Sequence, residues 1–578
     1  MKILLKFLRG NKRLFFFTLF FLLLQTVCIL LIPFFTEEIV DHGIASGSID
    51  TVISIALKML VSSVVGAAVS ITCTYLTAKL SSKLGVSIRE KLYTHIQSFT
   101  LEEQKQYGPA ALATRGSGDV ANVQQVLVML IQMILPGPFI GIVAVIMTWG
   151  VSKELALIVA LTILLFFGTV IFVFYKSLNN MKAIQERIDR IVAKLREIFV
   201  GVKIIRAFDN SAYEEERTND TFVAHANNII AINRRFAFIS PTAFLFLGVV
   251  MAAILWFGSF EVTTGAVKIG AVTAVIEYVT LALLQLLSGA LVTVMIPRAV
   301  ASLTRVQKVL DQQTSLIDRE HVKDDQYDEN TEELVQFDNV TFQYPGAEKA
   351  VLDGISFGVK RGQTVAVIGA TASGKSTVAK ILLRFDDIQS GSIRLGGVNI
   401  RKLSQKFLRD KISYVPQTAF LFSGTVRDNL KYAGKDISDK QMVNAAKIAQ
   451  ADGFISDLKE GYDSVVARGG TNFSGGQKQR LCIARALAKQ ADVYVFDDSF
   501  SALDNRTDAM VRKAIKENLH NVAVIIIAQK LSSILDADEI IVLDKGRIVG
   551  KGTHEELLKT NAIYKEFAVS QQIVEGRS

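Results

Sequence analysis

The sequence predicts an all-α bundle of six membrane-spanning helices with long cytoplasmic extensions, followed by an α/β domain. Long apolar runs fill about the first 300 residues and then stop. Beyond them, short apolar runs alternate with helical patterns, as in parallel α/β domains. Composition agrees, because 50% of the 578 residues are hydrophobic and the mean hydropathy is +0.34. Such a chain is too apolar for an ordinary soluble enzyme and too long for one core.

Six apolar runs are long enough to cross a membrane, since about 20 residues at roughly 1.5 Å per residue span the hydrocarbon core. The candidate spans are Leu14–Phe35, Val52–Leu76, Val126–Trp149, Leu155–Tyr175, Ile239–Phe260 and Ile269–Met295. We therefore assign residues 1–315 to a transmembrane domain, 316–333 to a linker and 334–578 to the α/β domain.

The charges between the apolar runs predict how the bundle is oriented. Basic residues precede the first span, whereas the loop Thr36–Thr51 holds acidic residues and no Lys or Arg. Because basic segments stay in the cytoplasm, the N-terminus and the α/β domain are predicted to be cytoplasmic. The long inner segments Lys79–Asn122 and Lys176–Arg235 are basic, and helical spacing within the second predicts extensions of the bundle. The net charge of +9 thus reflects topology, and nucleic acid is not a predicted partner.

The segment Gly369–Thr377, G-A-T-A-S-G-K-S-T, lies between an apolar strand and a helical run. Small residues at such a turn let backbone N–H groups surround a polyphosphate, aided by the helix N-terminus. We expect Lys375 to reach the β- and γ-phosphates and the Ser376 hydroxyl to ligate Mg²⁺. The predicted nucleotide-binding residues of this loop are Gly369, Ala370, Thr371, Ala372, Ser373, Gly374, Lys375, Ser376 and Thr377.

A second segment, V-Y-V-F-D-D at Val493–Asp498, follows about 120 residues later. It is typical of a buried strand, and Asp497 near its end is predicted to hold the same Mg²⁺ through water. Both segments in this order predict ATP and Mg²⁺ as ligands. The second half of the chain is therefore predicted to be an α/β P-loop nucleotide-binding domain.

The segment N-F-S-G-G-Q-K-Q-R at Asn472–Arg480 resembles the signature motif of ATP-binding cassette (ABC) exporters, with Phe473 where that family usually has Leu. The resemblance is to half-transporters, with six spans followed by one nucleotide-binding domain, and covers nearly the whole chain. It implies that the signature faces the γ-phosphate held by the opposite domain, so that each ATP lies between two domains. The signature residues are Ser474, Gly475, Gly476 and Gln477.

Three further positions match the family individually. Tyr344, in F-Q-Y-P, resembles the aromatic residue that stacks on adenine. Gln417, in Y-V-P-Q, resembles the glutamine that touches Mg²⁺ and faces the membrane domain. Asp504, in S-A-L-D, resembles the acidic residue that links the two ATP sites.

Three positions depart from the family pattern. Asp498 stands in place of the catalytic Glu that polarises the attacking water, and Gln529 in place of a His that contacts the γ-phosphate. Ala467 replaces a Glu common just upstream of the signature. Two departures at one γ-phosphate predict a site that binds ATP and hydrolyses it poorly. An intact signature beside an impaired site suggests a heterodimer whose other chain carries the Glu and the His.

Two residues outside the nucleotide motifs are candidates for function. Glu277 lies within the last span, where a carboxylate is costly, and would favour cationic amphipaths if it faces a cavity. The alternatives are pairing with the partner chain and exposure in an outward vestibule. Tyr213 lies at the tip of an inner loop, and in the family such tips dock into the nucleotide-binding domains. We predict that it is a buried coupling anchor; the alternative is packing within its own loop.

The resemblance implies one subunit of an ATP-driven exporter, a multi-pass protein of the cell membrane that moves hydrophobic or amphipathic compounds. Its expected partners are a second half-transporter, the lipid bilayer and the transported compound. Two alternatives stay open: a homodimeric lipid or peptide exporter, and a regulator or channel gated by nucleotide binding.

Overall fold

The computed structural model describes residues 2–316, 318, 322–434 and 436–571. The chain divides into two compact units, Met1–Ser98 with Gln104–Gln313, and Phe99–Glu103 with Thr314–Ser578. Residues 317 and 319–321 of the predicted linker and the last seven residues of the predicted nucleotide-binding domain, 572–578, lie outside the described residues.

The first unit is entirely helical in its described part. Its α-helices are α1 Lys2–Gly10, α2 Lys12–Glu38, α3 Ile49–Gln97, α4 Leu101–Tyr107 (which begins in the segment grouped with the second unit), α5 Pro109–Thr114, α6 Val120–Met129, α7 Pro136–Val151, α8 Lys153–Ala207, α9 Ser211–Phe236, α10 Ile239–Thr263, α11 Ile269–Val292 and α12 Ile296–Leu310. Three π-helical turns, at Ile39–Ile44, Arg115–Asp119 and Leu130–Ile134, interrupt the α-helical geometry.

Six helices of the described chain are long and apolar enough to cross a membrane, which confirms the predicted fold class. They are Lys12–Ile44, Ile49–Gln97, Pro109–Val151, Lys153–Met181, Ser211–Thr263 and Ile269–Leu310. Most of these helices run well beyond the apolar segments. The inner segments are helical as predicted, since α3 continues to Gln97 and α8 to Ala207. The third predicted span is not one uniform α-helix, because the Leu130–Ile134 π-turn and Pro136 divide it.

Small residues let the membrane helices approach closely. A Cβ atom at Gly289 of α11 would lie 2.9 Å from the Met133 carbonyl oxygen, and one at Gly137 of α7 would lie 3.1 Å from Leu286. These contacts pack α11 against α7 and the π-turn that precedes it. Close backbone approach replaces the hydrophobic effect as the source of helix association in lipid.

A buried ion pair ties the Arg115–Asp119 π-turn to α12. Asp119 is 3% exposed; its Oδ2 accepts from Arg305 Nε at 2.9 Å, and its Oδ1 accepts from the Ser302 hydroxyl at 2.9 Å. Removing Arg305 would leave the charge of Asp119 buried and uncompensated.

The second unit is an α/β domain built on two larger sheets. Its strands are β1 Val335–Phe342, β2 Leu352–Val359, β3 Thr364–Gly369, β4 Ser390–Leu395, β5 Val398–Asn399, β6 Ile412–Val415, β7 Gly424–Thr425, β8 Val465–Val466, β9 Val493–Asp497, β10 Ala523–Ile527, β11 Glu539–Asp544 and β12 Arg547–Gly552. Its helices are α13 Lys375–Leu382, α14 Gln405–Lys411, α15 Val426–Lys431, α16 Asp439–Ile448, α17 Asp452–Ser456, α18 Gly475–Ala488, α19 Asn505–Asn518, α20 His554–Thr560 and α21 Ala562–Ser570.

Sheet order positions the candidate site. The larger sheet runs β12-β11-β3-β10-β9-β6, and its five strands from β11 to β6 are parallel. An antiparallel sheet, β2-β1-β4-β5, accompanies it. Because β3, β10 and β9 are parallel neighbours, the segments that follow Gly369, Asp497 and Ile527 emerge at one edge of the sheet. Ligands of open α/β sheets bind at this carboxyl edge.

Candidate nucleotide-binding site

The loop after β3 has the backbone geometry that its small residues allow. Gly374 caps α13 with φ +101°, and a Cβ atom there would lie 2.7 Å from the Val351 carbonyl oxygen. Ala372 also has a positive φ, +66°. Both the torsion and the lack of space therefore require glycine at position 374.

Lys375 lies in the first turn of α13 and is 7% exposed. Its Nζ donates to the Gly369 and Ala370 carbonyl oxygens, each at 2.7 Å. Burial lowers the pKa of Lys375, against the opposing effects of Asp498 and Asp497. A phosphate beside the ammonium would favour its charged form, so the loop suits an anionic ligand.

Ser376 and Asp497, far apart in the sequence, meet at the carboxyl edge. The Ser376 hydroxyl donates to Asp497 Oδ1 at 2.7 Å, and the Tyr414 hydroxyl donates to Oδ2 at 3.1 Å. Burial raises the pKa of Asp497. The Ser376 hydroxyl and the Asp497 carboxylate together provide oxygen ligands that suit Mg²⁺. The buried Ser373 hydroxyl has no hydrogen-bond partner in the described chain, so it is free to donate to a phosphate.

Sequence reasoning did not find Tyr414. It lies on β6, three residues before Gln417, and reaches Asp497 because β6 pairs with β9. Burial, followed by the charge of Asp497, raises the pKa of the Tyr414 hydroxyl, so it stays a hydrogen-bond donor at neutral pH. The sequence signal that could have identified Tyr414 is its position on an apolar strand, directly before Val415–Pro416–Gln417.

Asp498 occupies a left-handed backbone conformation, with φ +47°. Its N–H donates to the Ile527 carbonyl oxygen at 2.7 Å, and its Oδ2 accepts from Gln417 Nε2 at 3.3 Å. The structure therefore brings the candidate catalytic carboxylate together with the candidate Mg²⁺ glutamine. Asp tolerates this conformation better than most residues do.

Gln529 follows β10 and is exposed. Its backbone carbonyl accepts from Gln571 Nε2 at 2.9 Å, while Gln571 Oε1 accepts from the Leu531 N–H at 2.8 Å. Gln571, the residue that follows α21, thus fixes the backbone around Gln529. Its side chain makes no hydrogen bond to the part of the chain that the structure describes.

Tyr344 stands beside the phosphate loop. Its hydroxyl lies 3.4 Å from Thr377 Oγ1, and its ring contacts Phe342 edge-on at 4.8 Å between centroids. The ring is half-buried, so one part of it is accessible. Stacking on adenine stays a prediction.

The signature segment begins helix α18 at a capped N-terminus. Gln477 N–H donates to Ser474 Oγ at 3.3 Å, and Ser474 N–H donates to Gln477 Oε1 at 2.9 Å. Nothing lies within 4 Å of a Cβ atom built at Gly475, so the helix end is open on that side. Phe473 is buried against Phe454, which explains why an aromatic residue is accommodated where the family usually has Leu.

Asp504 and Ala467 lie in turns on either side of this helix. Asp504 Oδ1 accepts from the Thr507 N–H at 2.9 Å at the start of α19, and this bond lowers the pKa of Asp504. The Ala467 N–H donates to Asn472 Oδ1 at 3.0 Å. Asp504 is exposed and ionised, and its inter-site role stays a prediction.

The two candidates in the helical unit differ in their surroundings. Tyr213 is 59% exposed near the start of α9, after a turn in which Asp209 has φ +51°. It therefore does not pack within its own loop, and its docking stays a prediction. Glu277 is half-buried on α11 and forms no ion pair with the described residues.

A six-helix membrane unit, joined in one chain to an α/β unit with a phosphate loop and a capped signature helix, defines an ATP-binding membrane transporter. The chain belongs to the ABC transporter family. Residues 352–501 match the ABC transporter family model, and residues 15–287 match that of the ABC transporter transmembrane region. It is thus a multi-pass membrane protein with a cytoplasmic nucleotide-binding domain.

Relatives match along nearly the whole chain. An uncharacterized ABC transporter ATP-binding protein of Mycobacterium tuberculosis (strain CDC 1551 / Oshkosh) is 31% identical over 569 residues, 98% of this chain and 97% of the relative. The ATP-dependent lipid A-core flippase of Mannheimia succiniciproducens is 30% identical over 543 residues, 92% of this chain and 90% of the relative. In fold, a bacterial Atm1-family ABC exporter with ATP bound has a TM-score of 0.82 and 24% identity, covering 98% of this chain and 99% of that chain.

Proposed function

We propose that this ABC exporter uses ATP to move lipids or other amphipathic compounds from the cytoplasm or inner leaflet by alternating access. The observation that carries the proposal is that the phosphate loop with Lys375 and the bonded pair Ser376 and Asp497 belong to a chain that also has six helices able to cross a membrane. Relatives that are named lipid A-core flippases support an amphipathic cargo.

Each site residue has a distinct task in this proposal. Backbone N–H groups of Ala370–Gly374 and the ammonium of Lys375 would bind the phosphates, and Tyr344 would hold the adenine. Ser376, Gln417 and Asp497 would hold Mg²⁺, which when bound supplies positive charge to stabilise the transferred phosphoryl group. Asp498 would orient water at a distance set by its short side chain.

We further propose that this chain's own site hydrolyses ATP weakly. One methylene fewer than Glu withdraws the Asp498 carboxylate by about 1.5 Å, and a misplacement of about 1 Å can cost roughly 10²-fold in rate. Gln529 can still form hydrogen bonds, but it lacks the titratable ring of His. The signature keeps Ser474, Gly475 and Gly476, so it would serve a competent site on a partner chain carrying Glu and His.

Purified alone, the chain is expected to bind ATP and hydrolyse it at a rate close to background. Co-expressed with a half-transporter that carries Glu and His, it should give a complex that turns over ATP and transports a fluorescent lipid in proteoliposomes. Phosphate release and lipid movement measure the two activities. Robust turnover by the chain alone would instead establish a homodimer, and nucleotide-dependent ion conductance without transport would favour a channel.

Replacing the exposed Tyr213 with Ala is expected to reduce transport about tenfold or more, since an aromatic anchor at an interface contributes about 2 kcal/mol. ATP affinity should change less than twofold, because the phosphate loop is intact. Tyr175→Ala is the matched control, as Tyr175 is also an exposed tyrosine, on α8. Normal transport by a stable, assembled Tyr213→Ala complex would exclude the coupling role.

A further inference from the structure

The antiparallel sheet of the α/β unit carries a polar cavity that the nucleotide site does not use. The cavity has a volume of about 450 Å³ and lies between the segment Lys323–Thr331 and the β4–β5 hairpin. The end of β4 pairs with the start of β1 at Val335, whereas Tyr344 lies beyond the other end of β1. At about 3.3 Å per residue, roughly 20 Å of strand separates the cavity from Tyr344. The cavity is therefore a separate site.

Three cationic side chains line this cavity. They belong to Lys323 in the segment before β1, Arg394 on β4, and Lys402 shortly after β5. The Lys323 N–H donates to the Lys402 carbonyl oxygen at 2.8 Å, so the two lysines are neighbours. Arg394 lies opposite Asn399 in the β4–β5 pair, three residues before Lys402 along the chain. Two separate segments thus bring three positive charges to one cavity.

None of these three side chains forms an ion pair or hydrogen bond with the described residues. The acidic residues of the same segment are bonded elsewhere. Asp324 accepts from the Ser404 N–H at 2.8 Å and from its hydroxyl at 2.7 Å, and Glu332 pairs with Lys360 at 2.9 Å. Among the described lining residues, Asp328 alone carries a carboxylate, and its Oδ1 already accepts a backbone N–H at 2.9 Å. The lining therefore has an excess of positive charge.

Uncharged donors complete the lining. Ser392 lies two residues before Arg394 on β4, so both side chains are on the same face, and the intervening Ile393 is buried. The Ser392 hydroxyl and the Asn399 amide group donate to none of the described residues. Asp338 lies opposite Ser392 on β1, but it does not line the cavity and pairs with none of its cations. The cavity thus offers many hydrogen-bond donors and few acceptors.

Close packing fixes the shape of the cavity. Gly396, in the β4–β5 turn, has φ +54°, and a Cβ atom there would lie 2.4 Å from the Tyr327 ring. The Asp328 N–H donates to the Gly396 carbonyl oxygen at 3.1 Å, and the Tyr327 hydroxyl donates to Asp492 Oδ2 at 2.7 Å. The segment that carries Lys323 is thereby held on the hairpin. A preformed site loses less conformational entropy when a ligand binds.

We propose that Lys323, Arg394 and Lys402 bind an oligophosphate, a soluble anion with two or more linked phosphate groups. Guanidinium and ammonium groups form short, charge-assisted hydrogen bonds to phosphate oxygens. Three cations against one carboxylate favour a ligand with several negative charges, and a cavity of about 450 Å³ has room for more than one phosphate group. Because this site is separate from the nucleotide site, its occupancy does not depend on the proposed export function.

Equilibrium dialysis of radiolabelled pyrophosphate against the full-length chain in phosphatidylcholine nanodiscs tests this site. All variants are made in a Lys375→Ala background, which weakens binding at the phosphate loop. Arg394→Gln should raise the pyrophosphate Kd about tenfold, and Lys402→Gln and Lys323→Gln should each raise it severalfold, since each removes a charged donor. Asp328→Asn should lower the Kd severalfold, because it removes the carboxylate from the lining. A gain in affinity cannot come from a damaged fold.

Lys406→Gln is the matched control, because Lys406 is an exposed lysine on α14 that does not line the cavity. Its Kd should equal that of the parent chain, and an unchanged melting temperature shows that each variant is folded. Loss of all pyrophosphate binding in Lys375→Ala alone would overturn the site. So would an unchanged Kd in Arg394→Gln and Lys402→Gln, or an equal loss in Lys406→Gln. Equal affinity for inorganic orthophosphate would overturn the assignment to an oligophosphate.

Discussion

Restoring Glu at position 498 and His at position 529 is expected to raise ATP hydrolysis at this chain's own site by about 10²-fold. The longer side chain moves the carboxylate outward by about 1.5 Å, and the geometry of the attacking water depends on that distance. Asp498 directly follows strand β9, which ends at Asp497, so its backbone is already positioned at the site. Gln417 Nε2 lies 3.3 Å from Asp498 Oδ2. The surrounding site therefore needs no rebuilding.

The measurement is phosphate release by Asp498→Glu/Gln529→His, both from the chain alone and from a complex whose partner Glu has been replaced by Gln. Asp544→Glu is the matched control, since Asp544 ends the neighbouring parallel strand β11 of the same sheet and gains the same methylene. It should leave hydrolysis unchanged. If the double variant stays at background while binding ATP normally, another feature limits the site, with Ala467 the first to test.

Much of the fold follows from local sequence. Hydropathy over about 20 residues identifies each span, and the periodicity around Ile188 and Leu195 extends α8 into the cytoplasm. The π-turn at Leu130–Ile134 has no comparable pattern, because close packing of α11 on Met133 accompanies it. The Asp119–Arg305 pair likewise joins residues 186 positions apart, and no local rule connects them.

Some features of the candidate site also follow from local sequence, and others depend on the tertiary fold. The phosphate loop is recognisable because its ligand contacts come from one short turn, so spacing alone specifies Lys375 and Ser376. The bond from Tyr414 to Asp497 depends on β6 lying next to β9, which is a property of sheet order. The Tyr278 hydroxyl, which has no hydrogen-bond partner within the described chain, is buried where α2, α7 and α11 meet, and no local pattern of the sequence indicates that meeting.

The two ATP sites of a complex should respond differently to changes in this chain. Lys375→Ala removes a charged donor from the chain's own weak site, which should lower ATP affinity there by about 10- to 100-fold, as charge-assisted hydrogen bonds contribute 1.5–3 kcal/mol. Turnover at the partner's site should largely persist. Photolabelling with an azido-ATP analogue, resolved by chain, measures the first effect, and phosphate release measures the second.

Ser474→Arg should instead reduce turnover of the complex to about a hundredth or less, because it places a long cationic side chain over the α18 N-terminus that stabilises charge on the partner's phosphate. Loss of the cap itself is a smaller effect, about 1 kcal/mol. Ser438→Arg measures that smaller effect, since Ser438 caps α16 through the same paired bonds with Gln441. Its turnover should stay near that of the wild type.

If Lys375→Ala and Ser474→Arg abolish turnover equally while Ser438→Arg does not, both variants damage every site, and the complex is a dimer of this chain. A small loss of turnover in Lys375→Ala and a large loss in Ser474→Arg would require a partner of different sequence. Only in such a complex does this chain contribute its phosphate loop to one ATP site and its signature to a second site of different activity.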